Sequence, residues 1–311
     1  MNKTSRFPQT MLCTFALPWD AQKRLMEDAL RRQIRTVIAA GIEDVYIFGT
    51  AGEGHAVDMA QFRDIVHLFR EETDGKAERP QVGVIALSTG NIIERIGMAH
   101  ELGFRIFQIS LPCWGALNDD ELLVFFRDVC GAFPDSRFVH YDLDRAKRRL
   151  SSADYRKICD DVPNLAAAKV TGLDLENARA VMKEVPELQP FFTEPLFARA
   201  SRFGACSLLS AYAALSLKRA IRFFNAGREG RFEEADALAE GYIEFNRKVF
   251  APSLGDTRYT DGAYDKIIAR LGGNEVPMRM LSPYLCGSEE TFRACEAIYR
   301  KEFPDWPDDA R

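Results

Sequence analysis

The chain has 311 residues, 47% hydrophobic and 28% charged, with a formal net charge of -5 and a pI near 5.6. That composition belongs to an ordinary soluble globular protein of one large domain, or one domain with an extension. The acidic balance argues against a nucleic-acid or anionic-membrane binder. No apolar run is long enough to span a bilayer, and residues 1–8 lack the apolar core of a signal peptide, so a cytoplasmic location is expected. Cys13, Cys113, Cys130, Cys159, Cys206, Cys286 and Cys295 are scattered, with no C-x-x-C pair. They read as small core residues in a reducing compartment.

Met11-Leu12-Cys13-Thr14-Phe15 reads as a first strand, and a helix is expected from Gln22, with Leu30, Ile34, Val37 and Ile38 on one face and Gly41 at its end. Asp44 to Phe48 is the next strand. The turn Gly49-Thr50-Ala51-Gly52-Glu53-Gly54 closes it, and Asp58 with Gln61 opens a helix as a capping box. Val82 to Leu87 is a strand, Ile92 to Leu102 a helix, and Ile106 to Ile109 a strand. Asn118 with Glu121 caps a helix carrying Leu122, Phe125, Phe126 and Val129. Phe138 to Tyr141 is a strand and Ser152 to Asp160 a helix. Asn164 to Gly172 then reads as a buried strand of small residues interrupted by Lys169. A helix from Leu175 to Lys183, a strand Gln189 to Phe192 containing a proline, a helix Pro195 to Phe203, a strand Ala205 to Leu209 and a helix Leu215 to Phe224 complete the series.

These are eight strand-then-helix units whose strands are apolar throughout, the pattern of a parallel sheet covered on both faces. Their length matches a TIM (β/α)8 barrel of typical size, about 250 residues. An open doubly wound sheet is disfavoured, because no G-x-G-x-x-G follows the first strand. Residues 1–226 form the expected barrel and residues 227–311 a C-terminal helical extension. Its helices are expected over Phe232 to Val249, Tyr264 to Leu271 and Glu289 to Lys301, with a loop from Ala251 to Asp256 and a tail from Phe303.

In such a barrel the chemistry sits at the C-terminal strand ends. Lys169 is the only lysine there, and alternation puts it on the same face as small Ala167. It reads either as a side chain snorkelling to water or as an amine that attacks carbonyl compounds. Tyr141 ends the preceding strand, where its phenol moves a proton at a substrate oxygen or simply lines the rim. His140 points the other way, to the helices. The turn at Thr50 offers backbone N–H groups to a carboxylate. His55, His67 and His100 lack metal-ligand spacing and read as solvated or capping residues. Lys147-Arg148-Arg149 reads as a solvated face, or as a basic run that draws an anion to the barrel mouth.

Gly49-Thr50-Ala51-Gly52-Glu53-Gly54 resembles the G-T-T-G-E-x motif of the dihydrodipicolinate synthase / N-acetylneuraminate lyase family. Phe138-Val139-His140-Tyr141-Asp142 resembles its strand ending in Tyr-Asn, and Ala167-Ala168-Lys169-Val170-Thr171-Gly172 its Schiff-base strand. Phe203-Gly204-Ala205-Cys206-Ser207-Leu208-Leu209-Ser210 resembles its L-G-A-D-G-x-I-S stretch. The resemblance implies a class I aldolase or lyase without metal or cofactor. In it Lys169 forms an imine with pyruvate or a longer 2-oxo acid, Tyr141 shuttles the proton, and Thr50 with Ala51 holds the carboxylate. Glu194 and Leu209 join the substrate wall, and the chain assembles as a homo-oligomer, a tetramer or dimer. A sugar-acid dehydratase and a non-catalytic 2-oxo-acid-binding relative are the alternatives. Ala51 replaces the family's second Thr or Ser, Trp114 stands where the synthase lends a tyrosine, Arg145 follows a segment one residue short, and Phe192-Thr193-Glu194 replaces G-x-D. These departures point to a divergent member.

Overall fold

Eight short strands pair parallel, each with its sequence neighbours, and the last returns to the first, so a closed barrel results with no free edge. The strands are β1 (Met11–Thr14), β2 (Asp44–Ile47), β3 (Arg79–Gly83), β4 (Ile106–Ile109), β5 (Arg137–Asp142), β6 (Leu165–Val170), β7 (Gln189–Phe192) and β8 (Ser207–Ser210). The computed structural model describes residues 5–170, 174–254 and 259–307. Outside that set fall Thr171 and Gly172 of the lysine motif, and Gly255 and Asp256. No helix among the described residues is long and apolar enough to cross a membrane.

The intervening helices are α1 (Glu27–Ala39), α2 (Met59–Thr73), α3 (Thr89–Glu101), α4 (Asp119–Gly131), α5 (Ser152–Asp161), α6 (Leu175–Glu184), α7 (Glu194–Ala200) and α8 (Leu217–Arg228). Both expected capping boxes form: Asp58 accepts from Gln61 N–H and Asn118 from Glu121 N–H, at 2.8 and 2.9 Å, with the reciprocal bonds present. After α8 come α9 (Phe232–Phe245), a π-type turn over Asn246–Phe250, α10 (Ala251–Leu254), α11 (Asp261–Leu271) and α12 (Glu289–Glu302).

The barrel interior is a small cluster of Phe7, Leu12, Tyr46, Ile106, Val139, Ala166, Ala167, Phe191 and Leu209. A much larger apolar layer fills the space between strands and helices. One irregularity matters for the site. Phe138 pairs with Leu165 but Val139 pairs with Ala167, so β6 carries a bulge at Ala166. Ala166 and Ala167 therefore both belong to the interior cluster.

Several expectations shift. Helix α1 starts at Glu27 rather than Gln22, because the Asp20 carboxylate takes the N–H groups of Gln22 and Arg24 and folds that stretch into a turn. Strand β3 starts at Arg79, whose guanidinium grips Asp44 on β2, and it ends at Gly83 instead of running from Val82 to Leu87. Val84 still bonds to Gln108, but β2 has ended. Strand β8 runs Ser207–Ser210, shifted from Ala205 to Leu209, and the Pro195 to Phe203 helix is split into α7 and a 3-10 turn at Ser201–Phe203. Ala251–Leu254 is helical, not loop. The supposed tail packs: Trp306 is buried, stacked on Phe245, with the Arg219 guanidinium 4.0 Å above its ring. Cys113 is exposed and Cys286 half-buried, so those two are not core residues. The basic run is not a free solvated face. Lys147 donates to the Trp114 carbonyl, Arg148 to the Leu117 carbonyl, Asp119 and Asp154, and Arg149 pairs with Asp142.

Candidate active site

Strand pairing sets Tyr141 directly beside Lys169. Both strands end here, so both side chains reach the barrel mouth with little exposure, Lys169 at 9% and Tyr141 at 4%. The Lys169 Nζ lies 4.0 Å from the centre of the Tyr141 ring, a cation–π distance. Tyr141 Oη lies 3.3 Å from Thr50 Oγ1, within hydrogen-bond reach. Three residues far apart in sequence thus form one chain of contacts from amine to phenol to hydroxyl. Ala167, on the same face one pleat lower, leaves space under the amine.

The Thr50 turn is built by unusual backbone. Phe48 and Glu53 take left-handed conformations, with φ of 70° and 50°. A Cβ on Gly54 would sit 2.4 Å from the Phe48 carbonyl oxygen, so glycine is required for the turn to close. Arg95 of α3 pins it from outside, donating to the carbonyls of Gly54, Val57 and Ile85 at 2.7, 2.9 and 2.7 Å. Glu53 pins it from below. Its carboxylate is fully buried and accepts from Trp19 Nε1 at 2.8 Å, Leu281 N–H at 2.7 Å and Lys266 Nζ at 2.8 Å. Lys266 also donates to the Leu17 carbonyl. Ala51, beside Thr50, is buried, and its N–H donates to no carbonyl among the described residues.

Glu194 starts α7 and is wholly buried. Its Oε1 accepts from Ser210 Oγ at 2.9 Å and from the N–H groups of Ala211 and Tyr212 at 3.0 and 3.3 Å. Burial lifts its pKa, against those hydrogen bonds. It braces the loop after β8. Leu209 lies in the interior cluster beneath the mouth. His140 faces the helices as expected, with Nδ1 2.9 Å from Tyr155 Oη. Burial drives its pKa down to about 3. His100 pairs with Asp135 at the surface.

Two cavities open at this end of the barrel. One of about 330 Å3 contains Thr50, His55, Ser110, Arg145, Thr260 and Tyr284. His55 is therefore a wall residue, set edge-on to Tyr284, rather than a solvated or capping one. The other, about 460 Å3, lies between the end of β8 and helices α10 and α11. An ion pair, Arg145 to Asp261 at 3.0 Å, joins a lining residue of each. Arg145, Arg95, Lys266 and Asp265 were not assigned roles from the sequence. Lys266 had a readable signal, a lysine beside Ile267 and Ile268 on an amphipathic helix. No group of His, Cys, Asp and Glu among the described residues is placed to hold a metal ion.

A family model described as the dihydrodipicolinate synthetase family matches residues 8–257. An N-acetylneuraminate lyase from Citrobacter koseri is 25% identical over 172 residues, covering 55% of this chain and 57% of the lyase. The match therefore spans little more than half the length of that relative. Among solved structures, dihydrodipicolinate synthase from Aquifex aeolicus has a TM-score of 0.85 at 15% identity, covering 97% of this chain and all of that one. A prophage protein of the dihydrodipicolinic acid synthase family from E. coli K12, in complex with pyruvate, has a TM-score of 0.84 at 15% identity, covering 94% and 98%. At such identities the structures establish the shared fold.

Proposed function

This chain belongs to the dihydrodipicolinate synthetase family, and from that premise we propose that it is a Schiff-base carbon–carbon lyase or aldolase acting on pyruvate or a longer 2-oxo acid. The observation that carries the reading is the Lys169–Tyr141–Thr50 chain, with the amine 4.0 Å over the phenol ring and the phenol 3.3 Å from the hydroxyl. The relatives named as lyases, and the solved structure with pyruvate, support it.

In this reading Lys169 Nζ adds to the C2 carbonyl of the 2-oxo acid and water leaves, giving a protonated imine. The imine accepts the electron pair of the C3–C4 bond as that bond breaks. Tyr141, held by Thr50 and left as a phenolate once its own proton has gone to the water lost in imine formation, takes the proton of the C4 hydroxyl, and the C4 half departs as an aldehyde. The enamine left behind takes a proton at C3, and water releases pyruvate and the free amine. Run backwards, the same steps join pyruvate to an aldehyde. Thr50 and the Ala51 N–H hold the carboxylate, while Leu209 and Glu194 shape the pocket from β8 and α7. Assembly as a homo-oligomer completes the proposal. Trp114 and Leu87, 84% and 60% exposed on loops at the mouth, are apolar surface suited to a subunit contact.

Borohydride added with pyruvate should reduce the imine and leave an N-(1-carboxyethyl) adduct on Lys169, read by peptide mass mapping. Lys169→Ala should give none. Absence of an adduct with pyruvate, 2-oxobutanoate and 2-oxoglutarate alike would overturn the assignment.

A further inference from the structure

The two cavities at the C-terminal end of the barrel differ in chemistry. The smaller holds Arg145 and His55 with the hydroxyls of Thr50, Ser110 and Tyr284. The larger is walled by Phe250, Leu254 and Ile268, and its lining includes no lysine, arginine or histidine among the described residues. Its polar groups are contributed mainly by α11. Asp261, Asp265 and Ile268 fall on one helical face and line it together. The adjoining face is clamped down. A Cβ on Gly262 would lie 2.8 Å from the Thr50 carbonyl oxygen, and Lys266 bonds to Glu53. The helix cannot turn, so Asp265 is held toward the cavity.

Asp261 already has a counter-ion in Arg145. Asp265 has none at bonding distance, and its carboxyl makes no hydrogen bond among the described residues. The charges that act on it are those of the active site and its supports: Lys169, Glu194 and Lys266, with Asp261. Asp265 is half-buried, and desolvation of its unpartnered carboxyl pushes its pKa up to about 7. Near neutral pH it can donate as well as accept, which suits a hydroxyl better than an ammonium ion.

Resting on the Schiff-base reading above, we propose that Asp265 is a specificity-determining residue supplied by the C-terminal extension. It hydrogen-bonds a hydroxyl on the aldehyde half of the substrate, beyond C4, and the larger cavity takes that uncharged hydroxylated chain. An aldehyde bearing a carboxylate or phosphate would meet no cation in that lining, and Arg145 at its edge is already paired with Asp261.

The test condenses pyruvate with erythrose, butanal, 3-aminopropanal and erythrose 4-phosphate, and measures kcat and KM for each. Pyruvate–borohydride trapping is run on every protein to establish that the imine forms. The wild type should favour erythrose at least 10-fold in kcat/KM over each of the others. Asp265→Leu should reduce the erythrose-to-butanal ratio to about 2 or less, mainly by raising the erythrose KM, and the isosteric Asp265→Asn should keep part of it. With trapping intact, the proposal is overturned by an unchanged ratio in both variants, by preference for the amine or the phosphate, or by no turnover of erythrose. Failure of trapping in the wild type instead overturns the Schiff-base reading.

Discussion

Lys266 is one of the points where the extension is fastened to the turn that carries Thr50, so Lys266→Met should loosen the site from behind. Both Lys266 and Glu53 have fully buried side chains, 2.8 Å apart. Methionine fills much of the lysine volume but leaves the Glu53 carboxylate with only Trp19 Nε1 and the Leu281 N–H. Removing one partner of a buried pair costs about 3–5 kcal/mol. For 311 residues at ~2.1 cal/mol/K each, the unfolding entropy is near 0.65 kcal/mol/K, so the melting midpoint should fall by roughly 5–8 °C. Adding Glu53→Gln should recover at least half of that loss, because no charge then remains buried. Pyruvate trapping at Lys169 should slow in the single variant, since Thr50 sits on the loosened turn. Urea denaturation of the four proteins measures the coupling. A cost below about 1 kcal/mol, or a double variant as unstable as the sum of the singles, would refute the reasoning.

His140 gives a pH test with a definite sign. Its folded pKa of about 3 lies below the unfolded value of ~6.5, so the unfolded chain binds the proton first as pH falls. The stability is full above about pH 6.5 and is lost progressively toward pH 3. Between pH 6.5 and 4.5 the wild type should lose roughly 2–3 kcal/mol more than His140→Gln, and identical slopes in the two proteins would exclude the mechanism. Gly83→Ala tests the crowding beneath the Thr50 turn. Its Cβ would lie 2.4 Å from the Phe48 carbonyl oxygen and 2.7 Å from Tyr46 Oη. A loss of about 1–3 kcal/mol is expected, with at least a 10-fold slower imine formation as Thr50 moves from Tyr141. Unchanged trapping kinetics would show that the turn tolerates displacement.

The alternation of apolar runs and helical stripes was enough to place eight strands in order. Local chemistry was legible where it is completed within a few residues, as in the Asp58–Gln61 and Asn118–Glu121 caps. The neighbourhood of Lys169 and Tyr141 was legible because strand order sets the ends of β5 and β6 side by side. What escaped depends on contacts across the chain. Pro80 hid the start of β3, whose position is set by Arg79 meeting Asp44. Trp306 looked like tail because its partners Phe245 and Arg219 lie on other helices. Asp265 carries no local signature, since its meaning comes from the charge of Lys169 near it in space.

The bulge at Ala166 decides more than a local bend. Leu165 belongs to the outer layer, and strict alternation from it would turn Lys169 outward, among the helices. The extra residue reverses the count, so the amine meets Tyr141 inside. The alanine run is thus a counting device whose length matters more than its composition. A change of side chain there alters packing by degrees. Loss or gain of a single residue, unless a second slip compensates, exchanges the inner and outer faces and takes the amine out of the pocket altogether. Descent from an ancestor with this site can vary what stands around the lysine far more freely than it can vary the spacing that leads to it.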